Sequence, residues 1–252
     1  MRQTWHNLCG LVAFSTGILL MGCGTNGNSN VRVVNASPGL TTNFAVQVGL
    51  TNVASNLPYG KVGVEQQGTE ANDTSGIYRP VGSGTNQKLV LYGPSPSDII
   101  ASGTHTLVRN SFYTFVTLGN KAANVTLVTL ADNGTAPANG GAGLRIVQAS
   151  SAAGAVDIYV TAVGVPLSGA TPTLSGAGFG DITAYLPVPA AKDEIRVTPH
   201  GNPSNVLIDV TSTLTGGGLY TAYALDPQTS SSTAKYSMLI TGDPVTTATS
   251  SK

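Results

Sequence analysis

Residues 144–160, LRIVQASSAAGAVDIYV, repeat what the chain has already written at 31–48, VRVVNASPGLTTNFAVQV. The echo continues in the same order through Tyr59-Gly60 and Phe179-Gly180, Tyr78 and Tyr185, and SFYTFV and GLYTAY. An ordered echo of this kind marks a tandem duplication, and it constrains the fold strongly because whatever one copy builds the other must build too. It sets the first copy at 31–130, a Gly-rich linker at 131–143, the second copy at 144–243 and a polar tail at 244–252. Copies of about 100 residues are large enough to bury their own cores.

Each copy reads as all-β. The 31 Gly and 14 Pro are scattered along the chain, which leaves almost no window for an ordinary helix. At 41% hydrophobic, 10% charged and formally neutral, the composition opposes disorder, which goes with low hydrophobicity and high net charge. Short alternating or apolar runs fall at 31–34, 44–48, 88–92, 112–118 and 125–130 in the first copy. In the second they fall at 144–147, 156–160, 182–186, 194–198, 206–210, 220–225 and 236–240. Turn clusters such as GSGTN at 82–86 and GPSP at 93–96 separate them, as in a sandwich or barrel. Tyr113 and Tyr220 hold the same place in the two copies and are expected in the cores. The copies differ by insertion: the first is longer between Tyr59 and Tyr78, where EQQGTEANDTSG lies, and the second between Val160 and Phe179.

The amino terminus is a processing segment and stands outside the fold. Arg2 precedes an apolar run at 8–21, LCGLVAFSTGILLM, shorter than the roughly 20 residues that span a bilayer. It ends in Leu20-Met21-Gly22-Cys23, which resembles the lipobox of bacterial lipoproteins, Met21 departing from the usual small or β-branched residue. The resemblance implies a signal peptide at 1–22, cleavage before Cys23 and lipidation of Cys23, with acyl chains as the membrane anchor; two or more chains hold stably where one does not. Residues 23–30 then supply the lipidated cysteine and a polar tether, GTNGNSN, reaching roughly 24 Å at about 3.4 Å per residue. Gly24 lacks the aspartate that holds many lipoproteins at an inner membrane, so the expectation is an exported, outer-membrane protein of the bacterial cell envelope. Of the two cysteines, Cys9 leaves with the leader, so no disulfide forms and the cores alone must hold the fold. Loss of Arg2 takes Lys and Arg from 12 to 11 against 12 Asp and Glu, which offers nothing to a nucleic acid.

The sequence contains no catalytic or metal-binding pattern. His105 and His200 lie in similar turn-rich stretches with no cysteine or carboxylate cluster nearby in sequence, so zinc is not expected. Asp132 lacks the acidic spacing of a calcium loop. Ser232-Thr233-Ala234-Lys235 has S-x-x-K spacing but no K-T-G partner. Asp193 and Glu194 are adjacent, so on a strand they face opposite ways. No G-x-S-x-G, dinucleotide fingerprint or P-loop occurs. No catalytic residue, metal or cofactor is therefore assigned.

VRVVNASPG, the FAVQV and VDIYV strands, LPYGKV, the run from ITAYLPVPA to IRVTPHG, and the FYTFVTLG and LYTAYALD strands together resemble the family called domain of unknown function 4397. The resemblance covers most of 31–242 in both copies. It implies two tandem immunoglobulin-like or transthyretin-like antiparallel β-sandwich domains, exported, often lipid-anchored, with no established catalysis. Asn35 and Gln148 stand where that family commonly has histidine, Ala45 stands where the second copy has Asp157, and Ser151 where the first has Pro38. The expected function is that of a non-catalytic envelope lipoprotein, whose sandwiches bind a protein or glycan partner or organise the surface. A glycan-binding module is the alternative, with an envelope hydrolase behind it. Sugar platforms generally stack on exposed aromatic rings, and the mature chain has no Trp.

Overall fold

The computed structural model of the chain describes residues 27–40, 44–65, 72–73, 78–95, 97–121, 124–228 and 235–246. The signal peptide and Cys23 lie outside the described residues, as do most of the first copy's insertion and Ser232 to Ala234 of the S-x-x-K match.

The protein is all-β. The first copy comprises β1 (Asn28–Asn35), β2 (Ala45–Val48), β3 (Thr51–Ser55), β4 (Lys61–Glu65), β5 (Asn72–Asp73), β6 (Arg79–Gly82), β7 (Gly84–Tyr92), β8 (Ile99–Leu107), β9 (Phe112–Leu118) and β10 (Thr126–Ala131). One sheet runs β10-β9-β1-β4-β5, with β6 on the remaining part of β1, and the sheet opposite runs β3-β2-β7-β8. After a short β11 (Gly134–Thr135) come β12 (Ala142–Gln148), β13 (Val156–Ala162), β14 (Leu174–Ala177), β15 (Leu186–Val188), β16 (Lys192–Pro199), β17 (Ile208–Thr213), β18 (Leu219–Leu225), β19 (Ser237–Asp243) and β20 (Val245–Thr246). These form sheets β15-β12-β18-β19 and β14-β13-β16-β17. Pairing is antiparallel except that β1 runs parallel to β9, β12 parallel to β18 and β11 parallel to β20. The run at 182–186 forms a strand only from Leu186 onward; Ile182 makes a single bridge to Val147.

Burial explains why β1, β9, β12 and β18 read as nearly unbroken apolar runs. Side chains alternate across a strand, so Val31 and Val33 of β1 enter the first sandwich with Phe44, Leu91 and Phe115. Leu144 and Ile146 of β12 likewise enter the second, with Val156, Ile158 and Ile195. The opposite faces meet one another. Val34, Val116, Leu118 and Leu130 of the first copy pack with Val147, Ala149, Tyr223 and Leu225 of the second in a third core that belongs to both. The molecule is thus four sheets deep, and its two inner sheets are apolar on both faces, the condition that produces continuous hydrophobic strands. At roughly 1.5–3 kcal/mol per fully buried aliphatic or aromatic side chain, the apolar residues of this seam join the two copies.

The segment 131–143, expected to be a Gly-rich linker, is tied into the sheets at both ends and paired at 134–135. Ala131 closes β10, Asp132 has no exposed surface, Gly134 and Thr135 pair with Val245 and Thr246, and Ala142 already belongs to β12. Its glycines mark close approach: a Cβ on Gly134 would stand 2.5 Å from Leu219 Cδ1, and one on Gly143 2.6 Å from Leu219 Cδ2. Tyr113 is buried in the first core, and Tyr220 is partly buried against the second. Each phenol oxygen accepts a backbone N–H from five residues upstream, Val108 at 2.9 Å and Thr215 at 3.0 Å, a corner of the kind found in immunoglobulin-like sandwiches.

Candidate functional site

Four charges are buried at one end of the seam. Arg32 on β1 donates through Nε to Thr114 Oγ1 at 2.8 Å, through Nη1 to Gly242 O at 2.9 Å and through Nη2 to Asp243 Oδ1. Arg145 on β12 donates through Nε to Thr221 Oγ1 at 2.9 Å, through Nη1 to Ala131 O at 2.8 Å and through Nη2 to Asp132 Oδ1. Each arginine therefore bonds a threonine of its own copy and the terminal aspartate of the other. Each aspartate accepts from its own copy in turn: Asp132 from Thr114 at 2.5 Å and Tyr78 at 2.9 Å, Asp243 from Thr221 and from Tyr185 at 2.8 Å. The guanidinium carbons lie 4.5 Å and 4.8 Å from the Tyr78 and Tyr185 ring centres. Contacts of this reciprocal form define a two-fold interface, here within one chain. Burial and the neighbouring carboxylates push both phenols well above their ordinary range. Burial, and then Asp132, raises the Asp243 carboxyl against the pull of Arg32. The charges cancel, every member is bonded within the cluster, and no substrate-facing group is left over, so this is architecture.

The outer face of the second copy carries a different cluster. Asp157 on β13 accepts at Oδ1 from Ser175 Oγ at 2.8 Å and Gly176 N at 2.9 Å, and at Oδ2 from Gly201 N at 2.8 Å, with His200 Nδ1 2.8 Å from Oδ1. Burial works against ionisation here, yet these four bonds hold the carboxyl well below its usual range. His200, which has no carboxylate cluster near it in sequence, meets a single carboxylate that the chain supplies from 43 residues earlier. His105 does not share its position; it sits on β8, and its Nδ1 is 3.2 Å from Thr129 Oγ1. The set Ser175, His200, Asp157 resembles a hydrolase triad in composition only. In a triad the imidazole lies between hydroxyl and carboxylate, whereas here hydroxyl and imidazole share one carboxylate oxygen, so the imidazole has no serine proton to take.

Pairing register identifies the same place in the first copy. Ala45 faces Tyr92 on β7 as Asp157 faces Thr198 on β16, and Val46 faces Leu91 as Ile158 faces Val197. There the first copy has an open hollow of about 340 Å³ lined by Phe44, Ala45, Gln47, Asn56, Tyr92, Gly93 and Pro94. The second copy's extra residues explain the contrast. After Ala162 the chain returns across the outer face, where Val165 O accepts from Arg196 at 2.6 Å, Val160 N donates to Thr173 Oγ1 at 3.0 Å and Leu167 is buried. Asp157 and Tyr159 are consequently buried although they point outward. In the first copy β2 and β3 are joined by the tight turn Gly49-Leu50, Gly49 at φ 59°, with no chain segment between them to cross the outer face.

A second concavity, about 560 Å³, opens on the seam between Tyr59, Lys61, Leu225, Gln228, Lys235 and Leu239. It lies at the end of β1 away from Asn28, since Lys61 pairs with Asn35. Tyr59 bridges the copies there, donating to Asp226 O at 2.8 Å, and Asp226 in turn orders the 150–152 turn through Ser150, Ser151 and Ala152. Ser151 contributes a backbone N–H at 3.1 Å to this carboxylate, a donor that a proline in its place would lack. Asn35 and Gln148 act similarly: Asn35 Nδ2 donates to Leu40 O and Leu57 O, and Gln148 Oε1 accepts from Ser150 N. Asp193 and Glu194 do diverge; Asp193 is buried, and Glu194 accepts from Gly164 N at 3.1 Å, while burial, and then the Glu194 carboxylate, raises the Asp209 carboxyl on β17.

The family described as "Domain of unknown function (DUF4397)" matches residues 29–159, the first copy and the opening strands of the second, and the chain belongs to that family. No curated protein matches the chain. Among solved structures the chain is similar to a family 26 carbohydrate-binding module from Amy13K of Eubacterium rectale, determined with maltoheptaose. That likeness is 10% in identity with a TM-score of 0.24, over 85% of this chain and 97% of the module. An overlap this loose carries no argument about function.

Proposed function

We propose that this chain is a non-catalytic binding lipoprotein of the bacterial cell envelope, anchored through acylated Cys23 and presenting its two sandwiches as a single body. The observation that carries the reading is the seam concavity between Tyr59, Lys61 and Leu239. Asn28 to Asn30, expected in the tether, belong to β1, so the concavity sits at the end of β1 remote from residues 23–27 and faces away from the membrane to which that shortened tether would lead. Eight strand residues at about 3.4 Å each separate the two ends. The outer membrane is the proposed location, on the absence of aspartate at Gly24. Cys23→Ala should move the protein from the detergent phase to the soluble fraction; an unchanged membrane fraction would overturn the anchor. A photo-crosslinking residue at Gln228, on the concavity rim, should give a discrete adduct on intact cells while one at Leu50 gives none. Equal labelling from both positions would remove the concavity from the reading. A glycan as the bound partner is the second reading, and the first copy's hollow favours it.

A further inference from the structure

We infer that the hollow on the outer face of the first copy is a binding site for an uncharged carbohydrate. The inference rests on the binding-module reading and names one site and ligand class within it. The duplication supplies an internal control: at the equivalent place the second copy spends its polar groups on itself, Asp157 taking bonds from Ser175, Gly176, Gly201 and His200. In the first copy the polar side chains Gln47, Asn56 and Tyr92 line the hollow. Asn56 accepts from Phe44 N at 3.1 Å through Oδ1, which leaves its amide N–H groups available. Among the described residues neither the Gln47 amide nor the Tyr92 hydroxyl has a partner. Two amides and the Tyr92 phenol, whose own ring is half-buried, are groups that hydrogen-bond sugar hydroxyls while that ring packs on the apolar face of a pyranose. A volume of about 340 Å³ lies in the range of small-molecule sites.

Charge narrows the class. No lining residue is charged, and the flanking charge is acidic: the Asp98 carboxylate lies so close to Gly93 that a Cβ there would be 2.1 Å from Oδ2. An anionic sugar would meet that carboxylate with no cationic side chain among the lining residues to offset it. The short Gly49-Leu50 turn keeps the hollow open, where the longer 163–173 segment closes its counterpart.

The test is calorimetric titration of the mature protein with neutral gluco-, manno- and galacto-oligosaccharides, each beside a uronic-acid oligomer of similar length. At least one neutral oligomer should bind and the uronic acids should not. Tyr92→Ala and Gln47→Leu should each weaken that binding at least about tenfold, a loss of about 1.4 kcal/mol. Ala45→Asp, which places the second copy's carboxylate in the hollow, should do the same, and Gln47→Leu controls for any unfolding of Tyr92→Ala. Binding that survives all three substitutions overturns this site and leaves the module reading intact. Failure of every neutral oligomer, or preference for the uronic acids or for a peptide, overturns the ligand class; crosslinking at Gln228 tests the wider reading separately.

Discussion

On its outer face the first copy carries Ala45 and Gln47, half-buried at the rim of a hollow, and the second carries Asp157 and Tyr159 at the same register positions, both buried. On the inner faces the correspondence runs to single hydrogen bonds: Arg32 with Arg145, Thr114 with Thr221, Tyr78 with Tyr185, Asp132 with Asp243. A duplicated domain that packs against its twin must keep the charged part of the shared face, because each arginine and aspartate there has a reciprocal partner, whereas an outer face can lose a lid or gain one without disturbing the seam. The place to look for function in such a protein is therefore where the copies disagree.

The largest expected effect tests the reciprocity. Removing one partner of a buried ion pair costs about 3–5 kcal/mol because the other charge stays buried and unpaired. Arg32→Ala and Arg145→Ala should therefore destabilise by that amount and by the same amount, read from urea melts. A loss below about 1 kcal/mol in either, or a large gap between them, would mean that the seam is not two-fold in energy. Tyr113→Ala should cost about 3–5 kcal/mol, as large-to-small aromatic core changes do, and Tyr220→Ala less, since its ring is only partly buried. Equal losses would place both rings in equivalent surroundings after all.

Acid should separate the outer faces. The native Asp157 carboxyl is held below the ordinary value of 3.8, so its stabilisation is present above about pH 3.8 and disappears as pH falls through the lowered native value. The stability gap between wild type and Asp157→Asn should accordingly narrow as pH falls below 3.8, and a gap that widens would contradict the bonding seen here. The smallest effect concerns a seam asymmetry. Tyr223, opposite Val147 as Val116 is opposite Val34, has a buried hydroxyl with no hydrogen-bond partner among the described residues. Tyr223→Phe should be neutral or stabilise by up to about 1 kcal/mol, and a clear loss would reveal a bond to that oxygen.

Periodicity made the all-β class and most strands legible, and the echo of Tyr78 in Tyr185 pointed at the network without revealing it. Strands β3, β6 and β8 carry too many small or polar residues, IIASGTHTL being an example, to signal by alternation alone. The shared core was written in the sequence as VRVV and LRIVQ, apolar on both faces with one arginine in each. Reading it required knowing that a second sheet lies behind. The glycines at 134 and 143 read as flexibility because close packing and freedom select the same residue. The Asp157–His200 pair spans 43 positions, beyond any local spacing rule. Cys23 rests on the sequence motif alone.

Differential scanning calorimetry addresses the central claim, that the two copies form one body, most directly. The seam predicts a single transition whose calorimetric and van't Hoff enthalpies agree, displaced as a whole by Arg32→Ala. Two resolved transitions, with Arg32→Ala moving only one of them, would show that the copies fold as separate domains on a free linker at 131–143 and would contradict the account.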